Sequence, residues 1–216
     1  MASPEIRRVI RSYDAPIIRT YCQIRFGILR QRFLDEIGQY LPPSGSVLDI
    51  GCGFGLFSLY YASIHPSLRF FGIDLNPRRV GIAKGAARRL GLENVQYDVG
   101  NAIGFRSGAG SIDSAYILDV VHHVPREAVE PLIREIFRIL TPGGRFLVKD
   151  VDRRPAWKRR FTRALDLAMS PSSPVCYWDR RELQALLESV GFRVFSHAMV
   201  DVLPYPHVLF VCEKPV

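Results

Sequence analysis

Short apolar runs and amphipathic stretches take turns along most of this chain. Val47, Leu48 and Ile50 form the first run, set off by Pro42, Pro43 and Gly45, and predict a short buried strand. Phe54 to Ile64 carries no proline and no glycine after Gly55, and predicts a helix. LRFFGIDL follows as a second strand, then a helix opened by Asn76–Pro77 and running to about Leu90. NVQYDV, SIDSAYIL and GRFLVKDV predict strands three to five; a long helix from Arg126 to Leu140, closed by TPGG, separates the last two. Near the end the rhythm breaks. A helix in DRRELQALLESVGF stops at Gly191, and RVFSHAMVDV and HVLFVCEK follow with only a proline-rich turn between them. Strands alternating with helices predict an α/β, doubly wound, mostly parallel sheet covered on both faces. The last two strands, joined without a helix, predict an antiparallel pair at one edge, making seven strands.

Two further patterns lie outside that core. Ile17, Tyr21, Ile24, Ile28, Leu29, Phe33, Ile37 and Tyr40 recur at helical spacing with arginines between them, so residues 1–40 are expected to form a helical cap segment. Trp157, Phe161, Ala164, Leu165 and Ala168 form a second stripe opposite Arg154, Lys158, Arg159 and Arg163, a basic helical insertion at about 153–178. Each stripe can pack on the core with its arginines solvated, or lie over a cleft and touch a membrane surface. At 216 residues the cap and the remaining chain, 41–216, read as one compact domain.

Charge adds a partner class. The net charge is +8, and 25 of the 29 basic residues are arginine. Residues 7–32 hold seven arginines and one acid, and residues 153–163 hold six basic residues and no acid. Such clusters favour an acidic partner: a phosphate or carboxylate substrate, an anionic membrane, or nucleic acid. Cys22, Cys52, Cys176 and Cys212 are far apart and form no CxxC pair, which argues against zinc and against a disulfide framework. No apolar run reaches the length of a membrane span, and MASPEIRRVI lacks the apolar core of a signal peptide. A cytoplasmic protein is expected, with peripheral contact to an anionic membrane through the basic stripes as the further option.

The candidate chemistry begins at VLDIGCGFG. Gly51, Gly53 and Gly55, placed between a strand and a helix, supply a tight turn whose backbone N–H groups can face a ligand. Asp74 ends the second strand 23 residues after Gly51, where a carboxylate can accept hydrogen bonds from both ribose hydroxyls of an adenosine group. A dinucleotide fingerprint would need glycine where Leu56 stands. Asp49 also brings negative charge where a pyrophosphate would approach. A cofactor with adenosine at one end and a cation at the other suits both carboxylates.

At this point the residues carry a family resemblance. VLDIGCGFG, GIDLNP, SIDSAYILDVVHHVP, ILTPGGRFLVKDV and ELQALLESVGF resemble, in order, the motifs of class I S-adenosylmethionine-dependent methyltransferases, over about residues 40–213. The resemblance implies a Rossmann-like sheet ending in the same antiparallel pair, with S-adenosyl-L-methionine as cofactor and S-adenosyl-L-homocysteine as product. It implies that Gly51 and Gly53 let the methionine part pass over the turn, with Asp49 near its ammonium group. Asp74 should hold the ribose, Leu75 should flank the adenine, and Leu118 should offer its carbonyl to the ammonium. Where the family usually has Gly-Asp-Ala, this chain has Gly100, Asn101 and Ala102. Asn101 keeps an acceptor oxygen for the adenine amino group, with Ala102 beside it in the cofactor set.

Methyl transfer from a sulfonium is an in-line displacement in which positioning supplies most of the catalysis. An oxygen or carbon nucleophile also benefits from a base. Candidates after the fourth strand are His123, His122 and Asp119, with Tyr116 further inside; the family often has a histidine at the His123 position. Either histidine can instead simply pack the loop. Lys149 and Asp150 can also line the pocket. No metal ligand set is visible, so no metal is expected. The expected acceptor is a small molecule that is hydrophobic, acidic or lipid-linked, methylated at oxygen. Nucleic acid is disfavoured, because no recognition module is present and LDVVHH stands where base-amine methyltransferases carry a Pro-Pro-aromatic signature. A nucleic-acid or protein methyltransferase, or a non-catalytic cofactor-binding partner subunit, is the alternative.

Overall fold

The computed structural model describes residues 3–105, 108–152, 176–199 and 206–216; the stripe around Trp157 lies outside them. Two helices, α1 (Pro4–Arg11) and α2 (Pro16–Gly38), precede the sheet. Then come β1 (Gly45–Ile50), α3 (Leu56–Ile64), β2 (Leu68–Asp74), α4 (Pro77–Leu90), β3 (Val95–Val99) and β4 (Ile112–Leu118). A short 3-10 turn, Val121–His123, leads to α5 (Arg126–Ile139), β5 (Leu140–Val151), α6 (Arg180–Val190), β6 (Arg193–Ala198) and β7 (His207–Glu213).

The seven strands lie in the order β3-β2-β1-β4-β5-β7-β6, with β7 antiparallel to both β5 and β6. The expected doubly wound sheet and its antiparallel edge pair are both present. Strand order reverses between β1 and β4, which pair in parallel from Val47 opposite Ser114 to Ile50 opposite Ile117. In such sheets the crevice at that reversal, outside the carboxyl ends of the strands, is where ligands bind.

Local chemistry places the helix ends. The Asn76 side chain accepts from the N–H groups of Arg78 and Arg79 at the start of α4, and Gly91 closes it in a left-handed conformation. Asp179, accepting from the Arg181 N–H, and the left-handed Gly191 bound α6 in the same way. Two boundaries differ from expectation. Gly55 is left-handed and caps α3, so the helix starts at Leu56 rather than Phe54. TPGG does not lie outside the strands; β5 begins at Leu140, and the register jumps from Ile112 opposite Leu140 to Ser114 opposite Arg145. The surplus residues are absorbed as a bulge.

The cap helix departs further. Its buried face is Cys22, Phe26, Leu29, Phe33, Leu34 and Ile37, whereas Ile17 and Ile24 are 75% and 55% exposed. Leu29, Phe33 and Ile37 of the expected stripe are buried, and before them Cys22 and Phe26 take the core positions instead of Ile17 and Ile24. Arg30, at φ 57° and ψ 169°, breaks the helix into two parts. The second part packs on α3: Phe33 meets Phe57 with ring centres 5.7 Å apart, and the Tyr61 hydroxyl donates to the Leu34 carbonyl at 2.8 Å. On the far side Glu36 pairs with His197 of β6 at 2.6 Å. Helices α1 to α4 thus cover one face of the sheet and α5 and α6 the other, each with its own apolar core. No helix among the described residues is long and apolar enough to cross a membrane.

Phe33 is 3% exposed, so Phe33→Ala should lower folding stability by about 3–5 kcal/mol. Urea unfolding would measure it. A loss under about 1 kcal/mol, the range of surface changes, would mean that the cap does not pack as described.

Candidate active site

Three glycines shape the turn leaving β1, with φ of 70° at Gly51, 54° at Gly53 and 77° at Gly55. The N–H groups of Gly51 and Cys52 donate to the Ile73 carbonyl at 2.8 and 3.0 Å, which ties the turn to β2. Packing demands two of the three. A Cβ on Gly51 would stand 2.7 Å from a methyl of Val120, and one on Gly55 would stand 2.5 Å from the Tyr97 hydroxyl. Gly53 is different, because a Cβ there would meet none of the described residues within 4 Å.

The Gly53 N–H donates to Asp74 Oδ2 at 2.9 Å, and the Asn76 N–H donates to Asp74 Oδ1 at 2.8 Å. Both oxygens are therefore fixed, and each keeps a lone pair for a further donor. Leu75 beside it is 73% exposed, and Val99 and Ile103 are exposed as well. Large apolar side chains in water at the ends of adjacent strands suit a flat ring laid over them. Val99 and Ile103 were not singled out in the sequence, since nothing in their spacing marks them. Ala102 is buried, and the Asn101 side-chain oxygen accepts from the Ile103 N–H at 3.1 Å.

Behind the turn, Asp49 is buried and its Oδ2 has no hydrogen-bond partner among the described residues. Burial pushes its carboxyl up to about 7, against the opposing pull of the Ser58 and Tyr116 hydroxyls. A buried carboxylate oxygen without a donor is costly, and a cation or donor brought to it relieves that cost.

The residues after β4 form the other wall. Leu118, buried, ends the strand opposite Lys149, and Asp119 follows with a positive φ of 57°. Lys149 Nζ and Arg25 of α2 donate to the two oxygens of Asp119, and His207 Nε2 lies 3.9 Å away. Burial alone would raise the Asp119 carboxyl, but Lys149, Arg25 and His207 together hold it well below the usual carboxylate range. Asp119 is thus a poor base. His122 is buried, with its N–H donating to Asp150 Oδ2 at 2.9 Å and its Nδ1 paired with Asp150 Oδ1. That pairing leaves Nε2 as the acceptor of the neutral ring. His123 is less buried, its ring 4.1 Å from that of His122.

A family model described as a methyltransferase domain matches residues 21–197. The chain belongs to the class I S-adenosylmethionine-dependent methyltransferases. Norajmaline and ajmaline N-methyltransferases of Rauvolfia serpentina are 34% and 32% identical to this chain over 104 residues. Those residues are 48% of this chain, and the matched stretch spans 35% of either relative's length. Among solved structures, an S-adenosylmethionine-dependent methyltransferase of Methanosarcina mazei superposes with a TM-score of 0.68 at 24% identity, covering 84% of this chain and 97% of its own. Geranyl diphosphate C-methyltransferase of Streptomyces coelicolor gives 0.71 at 17%, covering 86% and 76%. These two likenesses establish the fold.

The cofactor of the family fits what the site offers. Its adenosine can meet Asp74 and the exposed apolar side chains, and its ammonium can meet the partnerless oxygen of Asp49. None of the four cysteines is paired, and no His/Cys/Asp/Glu cluster able to hold a metal occurs among the described residues.

Asp49 gives the methyltransferase a pH signature. Between the ordinary value of 3.8 and about 7 the folded chain keeps a proton that the unfolded chain has lost, so stability falls as pH rises through that window. Asp119, held low, acts in the opposite sense and only below 3.8, where stability falls with falling pH. Unfolding of the cofactor-free protein at pH 5 and pH 8 should give the larger free energy at pH 5, and Asp49→Asn should flatten the difference. An equal slope in both proteins would remove Asp49 from the account.

Proposed function

We propose that this methyltransferase moves the methyl group of S-adenosylmethionine to an oxygen of a small-molecule acceptor that is acidic, hydrophobic or lipid-linked. The partnerless Asp49 oxygen behind an open glycine turn carries the cofactor half of this proposal. Asp49 takes the ammonium, Gly51 and Gly53 border the methionine part, and Leu118 offers its carbonyl. Asp74 takes the ribose, Leu75 flanks the adenine, and Asn101 and Ala102 border it. The bound cofactor supplies an electrophilic methyl group on a sulfonium.

The cationic surroundings of Asp119 support the acceptor half. Among the described residues Arg25 and Lys149 face one carboxylate at the wall beside β4, which attracts an acidic acceptor and repels a protonated amine. The names of the plant relatives make nitrogen the second reading. His123, at the mouth of the turn after β4, is the proposed base for an oxygen nucleophile, and His122 is held back by Asp150. Ile17 and Ile24, exposed on one side of the arginine-bearing α2, support peripheral membrane contact. Amphipathic helices of this kind bind through buried apolar area plus attraction to anionic lipid.

A cell extract supplied with S-adenosylmethionine labelled at the methyl group should yield a labelled small molecule. Labelled polymer would mean a nucleic-acid or protein methyltransferase, and no label a non-catalytic subunit. With that acceptor in hand, His123→Ala should lower turnover ~10²-fold or more while leaving cofactor affinity unchanged. Turnover per folded molecule that stays intact would make His123 a packing residue.

Anionic vesicles should sediment the protein at low salt, with binding weakened by moderate salt and by Ile24→Asp. Absence of binding at low salt would leave a soluble acceptor only.

A further inference from the structure

Among the described residues only Arg30 and Asp119 combine a side chain with a positive φ. For most residues with a Cβ, alanine among them, the left-handed region is roughly 5- to 30-fold disfavoured, and Asp enters it more readily. At Asp119 four contacts oppose that preference. Its N–H donates to the Lys149 carbonyl at 2.9 Å, its two oxygens receive Lys149 Nζ and Arg25, and His207 lies 3.9 Å off. Lys149 is fully buried, with its Nζ 5.5 Å from the centre of the Phe33 ring.

One neighbour of Asp119 belongs to the cofactor site proposed above, and the other packs on its glycine turn. Leu118 precedes it, and Val120 follows with two methyl carbons 2.7 and 2.9 Å from where a Gly51 Cβ would stand. The direction the chain takes at Asp119 therefore decides whether Val120 seats against the glycine turn. A buried ion pair is weak evidence for stability, since apolar side chains of similar shape often hold a core as well. Its value here lies in the backbone it fixes.

We infer that Arg25 and Lys149 are positioning residues for cofactor binding. They clamp Asp119 in the left-handed conformation, which seats Val120 on Gly51 and sets the Leu118–Asp119 edge against the glycine turn. The cap helix thereby contributes to cofactor affinity through Arg25 without touching the cofactor. This rests on the cofactor site proposed above.

The test uses the full chain and S-adenosylhomocysteine in a calorimeter, with thermal unfolding alongside. Asp119→Ala with Lys149→Met removes the buried pair and leaves a Cβ in the left-handed region. Asp119→Gly with Lys149→Met removes the same pair, but glycine enters that region freely. The glycine double variant should bind roughly 5- to 30-fold more tightly than the alanine one. Equal affinities, whether both strong or both weak, would overturn the inference. Arg25→Gln retains the buried pair and should fold in any case. It should bind the probe more weakly with its unfolding midpoint near that of the parent, and unchanged affinity would again overturn the inference. A parent protein that fails to bind S-adenosylhomocysteine would instead remove the cofactor site itself.

Discussion

At the carboxyl edge of the sheet β1 and β4 lie side by side, and the chain must turn away from both at the same level. The space between the two turns is shared. Val120 fills the volume that any side chain at Gly51 would need, with methyl carbons within 3 Å of the position of its Cβ. Both chains meet there in conformations that side chains rarely adopt, Gly51 at φ 70° and Asp119 at φ 57°. Glycine enters the left-handed region without cost, whereas Asp119 needs partners to hold it. The same turn is held from its other side by the bonds from Gly51 and Cys52 to Ile73 and from Gly53 to Asp74. The ligand-facing groups are set before any ligand arrives, and such preorganisation lowers the cost of binding.

Two carboxylates near that contact are driven in opposite directions by their surroundings. Burial lifts Asp49 to about 7, while Lys149, Arg25 and His207 hold Asp119 down in spite of its burial. The first is a place for a positive group and the second is already neutralised. Environments that push like residues apart in this way assign different roles to each. The two carboxylates thus differ in charge state, Asp49 favouring its neutral form and Asp119 its ionised one.

The α/β alternation, the antiparallel final pair, the glycine turn and Asp74 at the end of β2 were all legible in the sequence. Each is a local signal. Apolar alternation reports burial over a few residues, and glycine at a strand end reports a backbone that other residues cannot follow. The TPGG bulge was missed because its residues read as a turn, and only pairing with β4 keeps them in a strand.

What remained undecided depended on phase and on distance. Helical spacing in the first half of residues 16–38 permits two stripes, and packing on α3 selects the one with Cys22 and Phe26 rather than Ile17 and Ile24. Seven arginines lie between residues 7 and 32, and nothing local marks Arg25 as the partner of a carboxylate 94 residues away. The same holds for Lys149 and Asp150, neighbours in β5 whose side chains leave opposite faces of the sheet and meet Asp119 and His122. Sequence by itself determined the elements and the turn that faces the ligand, because these rest on short-range backbone and burial rules. Tertiary structure decided which charges meet, because an ion pair depends on where distant strands and helices bring their side chains, and composition does not carry that position.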